Sequence, residues 1–203
     1  MDFEIFRKSY KPHIRPDNLV SELAEAYRLD QKFAAEFRHV KPYLPTRNST
    51  WADSVVQTLS DRGALPENFT DEDLTKIQSL YRQHSSNFRA GAFEETYLDS
   101  VEDVALFFIF HDVKTLWVSS AYADLTRDLL GMLFDRARLN RRVPVRNLAR
   151  SLTCALSLEL NQIQRTFTMY ERYVSDALVK DLSFGGMLTS TPTGRPTAPP
   201  PLT

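Results

Sequence analysis

Over residues 145–182 the apolar side chains Leu148, Leu152, Leu156, Leu160, Ile163, Phe167, Tyr170 and Val174 recur every three or four positions. That period puts them on one stripe of a single helix. At 1.5 Å per residue the helix is about 55 Å long, more than the width of the compact domain that 203 residues build. Part of it anchors a helical core, and its far end needs a partner or solvent around it. A chain organised by such an element packs helix on helix.

Shorter helical patterns precede it. Residues 1–18 read as an irregular arm, limited by Pro12 and Pro16. A short helix is expected over 19–27. Another is expected over 30–41, with Phe33, Phe37 and Val40 inward and Pro42 and Pro45 stopping it. Ser49 or Thr50 can cap a helix over 51–62 that Gly63 closes. Thr70, with Asp73 three residues on and an acidic first turn, starts one over 71–88, ended by Ala90-Gly91. Two longer helices follow over 93–113 and 117–137. Leu106 to Phe110 passes for a strand in isolation, yet its flanks continue a helical period. The fold class is all-α, with six or seven helices and a long C-terminal one. Residues 1–28 form an arm and short helix, and 29–182 form the main domain. Residues 183–203, rich in Pro, Thr and Gly, read as a disordered tail or linker.

Charge and cysteine content narrow the function. A formal net charge of −1, without a nucleic-acid motif, gives no footprint for phosphate backbones. The single cysteine, Cys154, excludes an internal disulfide and a zinc site of several thiolates. Its neighbours Leu152, Ala155 and Leu156 make it a small buried hydrophobe. The longest apolar run, Val104 to Phe110, is too short to cross a bilayer. Asp2, Glu4, Arg7 and Lys8 break the N-terminus as a secretory signal, so the cytoplasm is expected.

No glycine-rich phosphate loop, nucleophile elbow or Cys-x-x-Cys is present, and no enzyme is expected. Glu94-Glu95 and Glu102-Asp103 read as a solvated helix face. His13, His39 and His84 have no partner at metal-site spacing, and His39, beside Arg38 and Lys41, reads as surface. The basic cluster Arg136, Arg138, Arg141, Arg142 and Arg146 reads as a solvated turn, or as a contact for the propionates of a haem or for a partner.

One histidine stands out. Phe93, Tyr97, Val101, Val104, Phe108 and His111 are spaced by 4, 4, 3, 4 and 3, along one helical face. His111 ends the most aromatic stretch of the chain. Two explanations fit: a core histidine satisfied by carbonyls or water, or a metal ligand whose neutral imidazole faces an apolar slot suited to a haem iron.

The stretch GAFEETYLDSVEDVALFFIFHDVKTLWVSSAYADLTRDLL resembles the globin-coupled sensor family, bacterial haem globins often fused to signalling domains. Gly91, Glu94, Tyr97, His111, Trp117, Ala121 and Tyr122 carry the resemblance. RNLARSLTCALSLELNQIQRTF is similar to that family's last helix. The likeness spans roughly residues 29–182. It implies a globin-like fold, a haem b held by His111, and contacts to it from Tyr97, Val104, Phe107, Phe108, Trp117 and Tyr122. It also implies binding of a diatomic gas (O2, CO or NO), a homodimer through the last helix at Leu160, Ile163, Phe167 and Tyr170, and a downstream signalling partner.

Two departures bear on chemistry. Between histidine and tryptophan the family usually has an Ile-Gly-Leu-Pro-like turn; here Asp-Val-Lys-Thr-Leu is shorter and lacks the glycine and proline. The family's Phe-Tyr pair on the third helix aligns with Val55-Val56, so the usual hydrogen-bond donor to bound oxygen is missing. Its loss costs about 0.5–1.5 kcal/mol. Distal contacts then fall to Val56, Ile77, Tyr81 and His84, the last three on one helical face. Tyr81 is a possible donor and His84 a possible sixth ligand, or Tyr81 packs with a wet hydroxyl and His84 is solvated. Trp51 and Thr58 are weaker distal candidates. The rival reading is a haemless globin-like interaction or scaffold module in a signalling complex.

Overall fold

The computed structural model describes residues 2–15, 18–45, 49–91, 93–138 and 144–188. Among them are eight α-helices and no strand: α1 (Phe3–Ile14), α2 (Leu19–Tyr27), α3 (Gln31–Arg38), α4 (Ser49–Asp61), α5 (Asp71–Ala90), α6 (Glu95–Phe110), α7 (Thr115–Arg138) and α8 (Val145–Leu188). A 3-10 turn at Lys41–Tyr43 follows α3, where Pro42 cannot extend an α-helix. The fold is all-α. Residues 189–203, read as the tail, lie outside the described residues, and 183–188 continue α8.

Local chemistry explains the boundaries. At the start of α5 the Thr70 hydroxyl accepts from the Asp73 N–H, while Asp73 accepts from the Thr70 N–H at 2.8 Å. This capping box occupies donors that a helix start otherwise leaves free. Gly91 ends α5 at φ 71°, a left-handed position that glycine takes without strain. A Cβ there would stand 3.1 Å from the Phe37 ring.

The N-terminal arm is a helix. Phe3, Phe6 and Tyr10 repeat at helical spacing, and Pro12 falls in the last turn of α1, where it forgoes one backbone bond without breaking the rod. Phe3 and Phe6 pack edge-on to Phe110, at 5.7 and 5.3 Å between centroids.

Helix α6 is the spine. Every residue from Val101 to Phe108 is buried, polar ones included, because α5, α8 and α1 all pack against it. Helix α7 packs on α4 and α8. The 44 residues of α8 run about 66 Å. Its stripe from Leu148 to Phe167 lines the core, whereas from Glu171 to Val179 it is exposed or half-buried. Leu178 is 59 % and Val179 62 % exposed. The proposed dimer residues Ile163 and Phe167 are buried within the chain itself, and Leu160 and Tyr170 are half-buried. In this packing, that face is used inside the fold.

Candidate functional site: a polar cluster inside the helical core

His111 caps the C-terminus of α6, its N–H donating to the Phe107 carbonyl at 3.2 Å. Its side chain is 8 % exposed, with Nε2 3.4 Å from Asp73 Oδ1 and not hydrogen-bonded. Phe107, Phe110 and Phe69 surround the ring, at centroid distances of 4.5, 5.0 and 5.3 Å. Burial lowers its pKa from the ordinary value of 6.5, outweighing the pull of Asp73 in the opposite direction. His111 is thus neutral near pH 7, the form a metal takes.

Beside an axial ligand, a haem needs a flat slot. Tyr97, Val104, Phe107, Phe108 and Tyr122 are buried, as are Ile77, Tyr81 and His84, and all but the histidine belong to one packed apolar cluster. Val56 and Trp117 pack half-buried against it. Trp51 is buried too. None of the described pockets is lined by His111. The largest of them, about 490 Å³, is lined by its neighbours Asp73, Phe107 and Phe110 together with Phe3 and Glu4 of α1.

After His111 the chain turns at Asp112, whose φ of 54° makes it one of two non-glycine residues with positive φ among those described.

The structure instead brings together a polar cluster at the centre. His84 is fully buried, and its Nε2 lies 3.0 Å from Oε1 of Glu159 on α8, also fully buried, in a close contact that is not a hydrogen bond. The Ser100 hydroxyl donates to the Tyr97 carbonyl at 2.7 Å. His84 Nδ1 lies 3.2 Å from Ser100 Oγ. The Tyr81 hydroxyl donates to that of Tyr122 at 3.0 Å. Burial pushes the phenols of Tyr81, Tyr97 and Tyr122 well above their usual range, and the Glu159 carboxylate pushes further in the same direction. They stay protonated near pH 7. The reading of Tyr81 as wet and His84 as solvated is therefore corrected. His84 as a sixth ligand is not supported either, since its ring faces Glu159 and Ser100.

Serine, imidazole and carboxylate in sequence are the members of a nucleophile relay. Here Ser100 is 2 % exposed and spends its proton on a backbone carbonyl, and it lines no described pocket. The cluster positions helices, and none of its members lines a described pocket. Glu159 escaped sequence reading, although a signal was present. Leu152, Leu156, Glu159 and Ile163 are spaced by 4, 3 and 4, so the glutamate sits on the inward stripe.

A second set of acids is corrected. Glu102 and Asp103 are buried, not solvated. Arg15 meets Glu102 at 2.7 Å, and Arg7 and Lys11 meet Asp103 at 2.7 and 2.9 Å. Burial raises the Glu102 pKa, and the Arg15 guanidinium only partly offsets it. These pairs fasten α1 to α6.

Of the basic cluster, Arg136 donates to the carbonyls of Tyr43 and Leu44, both at 3.1 Å. The side chains of Arg138, Arg141 and Arg142 lie outside the described residues. No group of three or more His, Cys, Asp or Glu suited to a metal occurs among the described residues. Among the described residues no helix is long and apolar enough to cross a membrane. Comparison with protein-family models, curated proteins and solved structures finds no match to this chain.

Proposed function

We propose that this chain is a haemless globin-like interaction module of a signalling complex, with an interior that holds a polar cluster in place of a prosthetic group. The carrying observation is that the residues aligned with haem contacts pack against one another, with His84 and Glu159 paired among them at 3.0 Å. The protruding end of α8, with Leu178 and Val179 exposed, supports contact with a second chain. In this reading a partner senses or sets the packing of α8, and the core transmits it as a shift between two helix arrangements.

A second reading keeps the gas-binding haem sensor, because His111 presents a buried nitrogen without a hydrogen bond. It requires α5 and α6 to part around a macrocycle. Absorbance spectroscopy of protein purified from haem-replete cells separates the two. The module gives only the aromatic band. An intense Soret band that vanishes in His111→Ala would instead establish the haem sensor.

A further inference from the structure

Where the turn between α2 and α3 meets α8, the surface folds into a cleft of about 210 Å³, the smallest of the described pockets. Three cations line it: Arg28, Lys32 and Arg150. All three are solvent-exposed, unlike Arg7, Lys11 and Arg15, which pair with the buried acids of α6. The side chains of Arg28, Lys32 and Arg150 have no ion-pair or hydrogen-bond partner among the described residues. Ser151 also lines the cleft, and its hydroxyl is available there as a hydrogen-bonding group.

Two carboxylates share the cleft, Asp30 and Glu36. Asp30 is committed to the cap of α3, accepting from the Phe33 N–H at 2.7 Å. Its charge remains, so two carboxylates stand against three cations and the cleft keeps a net charge of about +1. Arg28 ends α2 at φ 52°, a left-handed position that favours glycine, yet it carries a guanidinium at the cleft mouth.

We propose that this cleft binds a small oxyanion, a phosphate or carboxylate group. Arg28, Lys32 and Arg150 supply charge, and Ser151 supplies a hydrogen bond. The volume admits a ligand of only a few heavy atoms beyond the anionic group, below the size of typical drug-like sites. Bound there, the anion ties the α2–α3 turn to α8. The site is independent of the haemless reading, since it involves none of the central cluster.

Cys154 lines the same cleft and is the one thiol in the chain, so it reports on the site. The test alkylates the 203-residue chain with iodoacetate and with iodoacetamide, each rate scaled to free cysteine. An anion-binding cleft gathers the anionic reagent, so the scaled rate for iodoacetate should exceed that for iodoacetamide by about fivefold. Inorganic phosphate or acetate should slow both reactions, whereas chloride at equal ionic strength should not. Whichever of the two protects at lower concentration identifies the anion type.

Arg28→Gly is the decisive variant, because glycine suits the left-handed position and the fold is kept. It should lower the iodoacetate preference and weaken protection by up to about fivefold. Equal scaled rates for the two reagents would overturn the proposal. So would protection by chloride equal to that by phosphate and acetate, or an Arg28→Gly variant that behaves as the parent.

Discussion

Replacing Glu159 by leucine leaves the His84 imidazole facing a hydrocarbon in a part of the core that water does not reach. Both residues are fully buried, and their contact is 3.0 Å. Breaking a buried pair from one side costs about 3–5 kcal/mol. Replacing both partners by apolar groups of similar volume removes most of that penalty. Glu159→Leu and His84→Leu should therefore each lower stability by about 3 kcal/mol or more, while the double variant loses far less than their sum. The coupling should be at least about 2 kcal/mol, within the range that touching residues show. With a urea slope near 3 kcal/mol/M, each single variant moves the unfolding midpoint down by about 1 M or more. Urea titrations followed by far-UV circular dichroism on all four proteins measure this. Additive losses, or single variants within about 0.5 kcal/mol of the parent, would refute the reasoning. Glu159 would then be solvated or unpaired.

Other consequences follow from the same geometry. Arg15→Ala strips Glu102 of its guanidinium while the carboxylate stays buried, which should cost about 2–4 kcal/mol in urea unfolding; adding Glu102→Gln should recover part of it. Asp112→Gly relieves a left-handed φ of 54° and should stabilise by about 0.5–1 kcal/mol, read as a higher thermal midpoint. His111 titrates below 6.5 when folded, so the unfolded chain binds its proton first. Its contribution is constant above that pH, falls as pH drops through 6.5, and levels off below the folded value. Unfolding free energy measured against pH should show this decline in the parent and a shallower one in His111→Phe.

The helices were legible because their signals are local. The Thr70–Asp73 box, Gly91 and the stripe of α8 each lie within a few residues of the feature they determine. What escaped depends on residues far apart in sequence. Glu102 and Asp103 form a plausible solvated face until Arg15, Arg7 and Lys11 arrive from about ninety positions away. Tyr81 meets Tyr122 across 41 residues. Prolines discouraged a helix in residues 1–18, yet Pro12 lies where a helix end tolerates it. His111 was read from its spacing as one more member of an inward face. The chain turns at Asp112 immediately after it, so the last member of that face is already a cap.

A haemin titration followed through Trp51 tests the packed interior most directly. Trp51 is buried, its ring 6.1 Å from that of His84, and a macrocycle in the core would quench its emission by energy transfer. With Trp117→Phe leaving Trp51 as the single tryptophan, a filled core predicts no saturable quenching and no Soret shift at one equivalent of haemin. Stoichiometric quenching at one equivalent, abolished by His111→Ala, would contradict it.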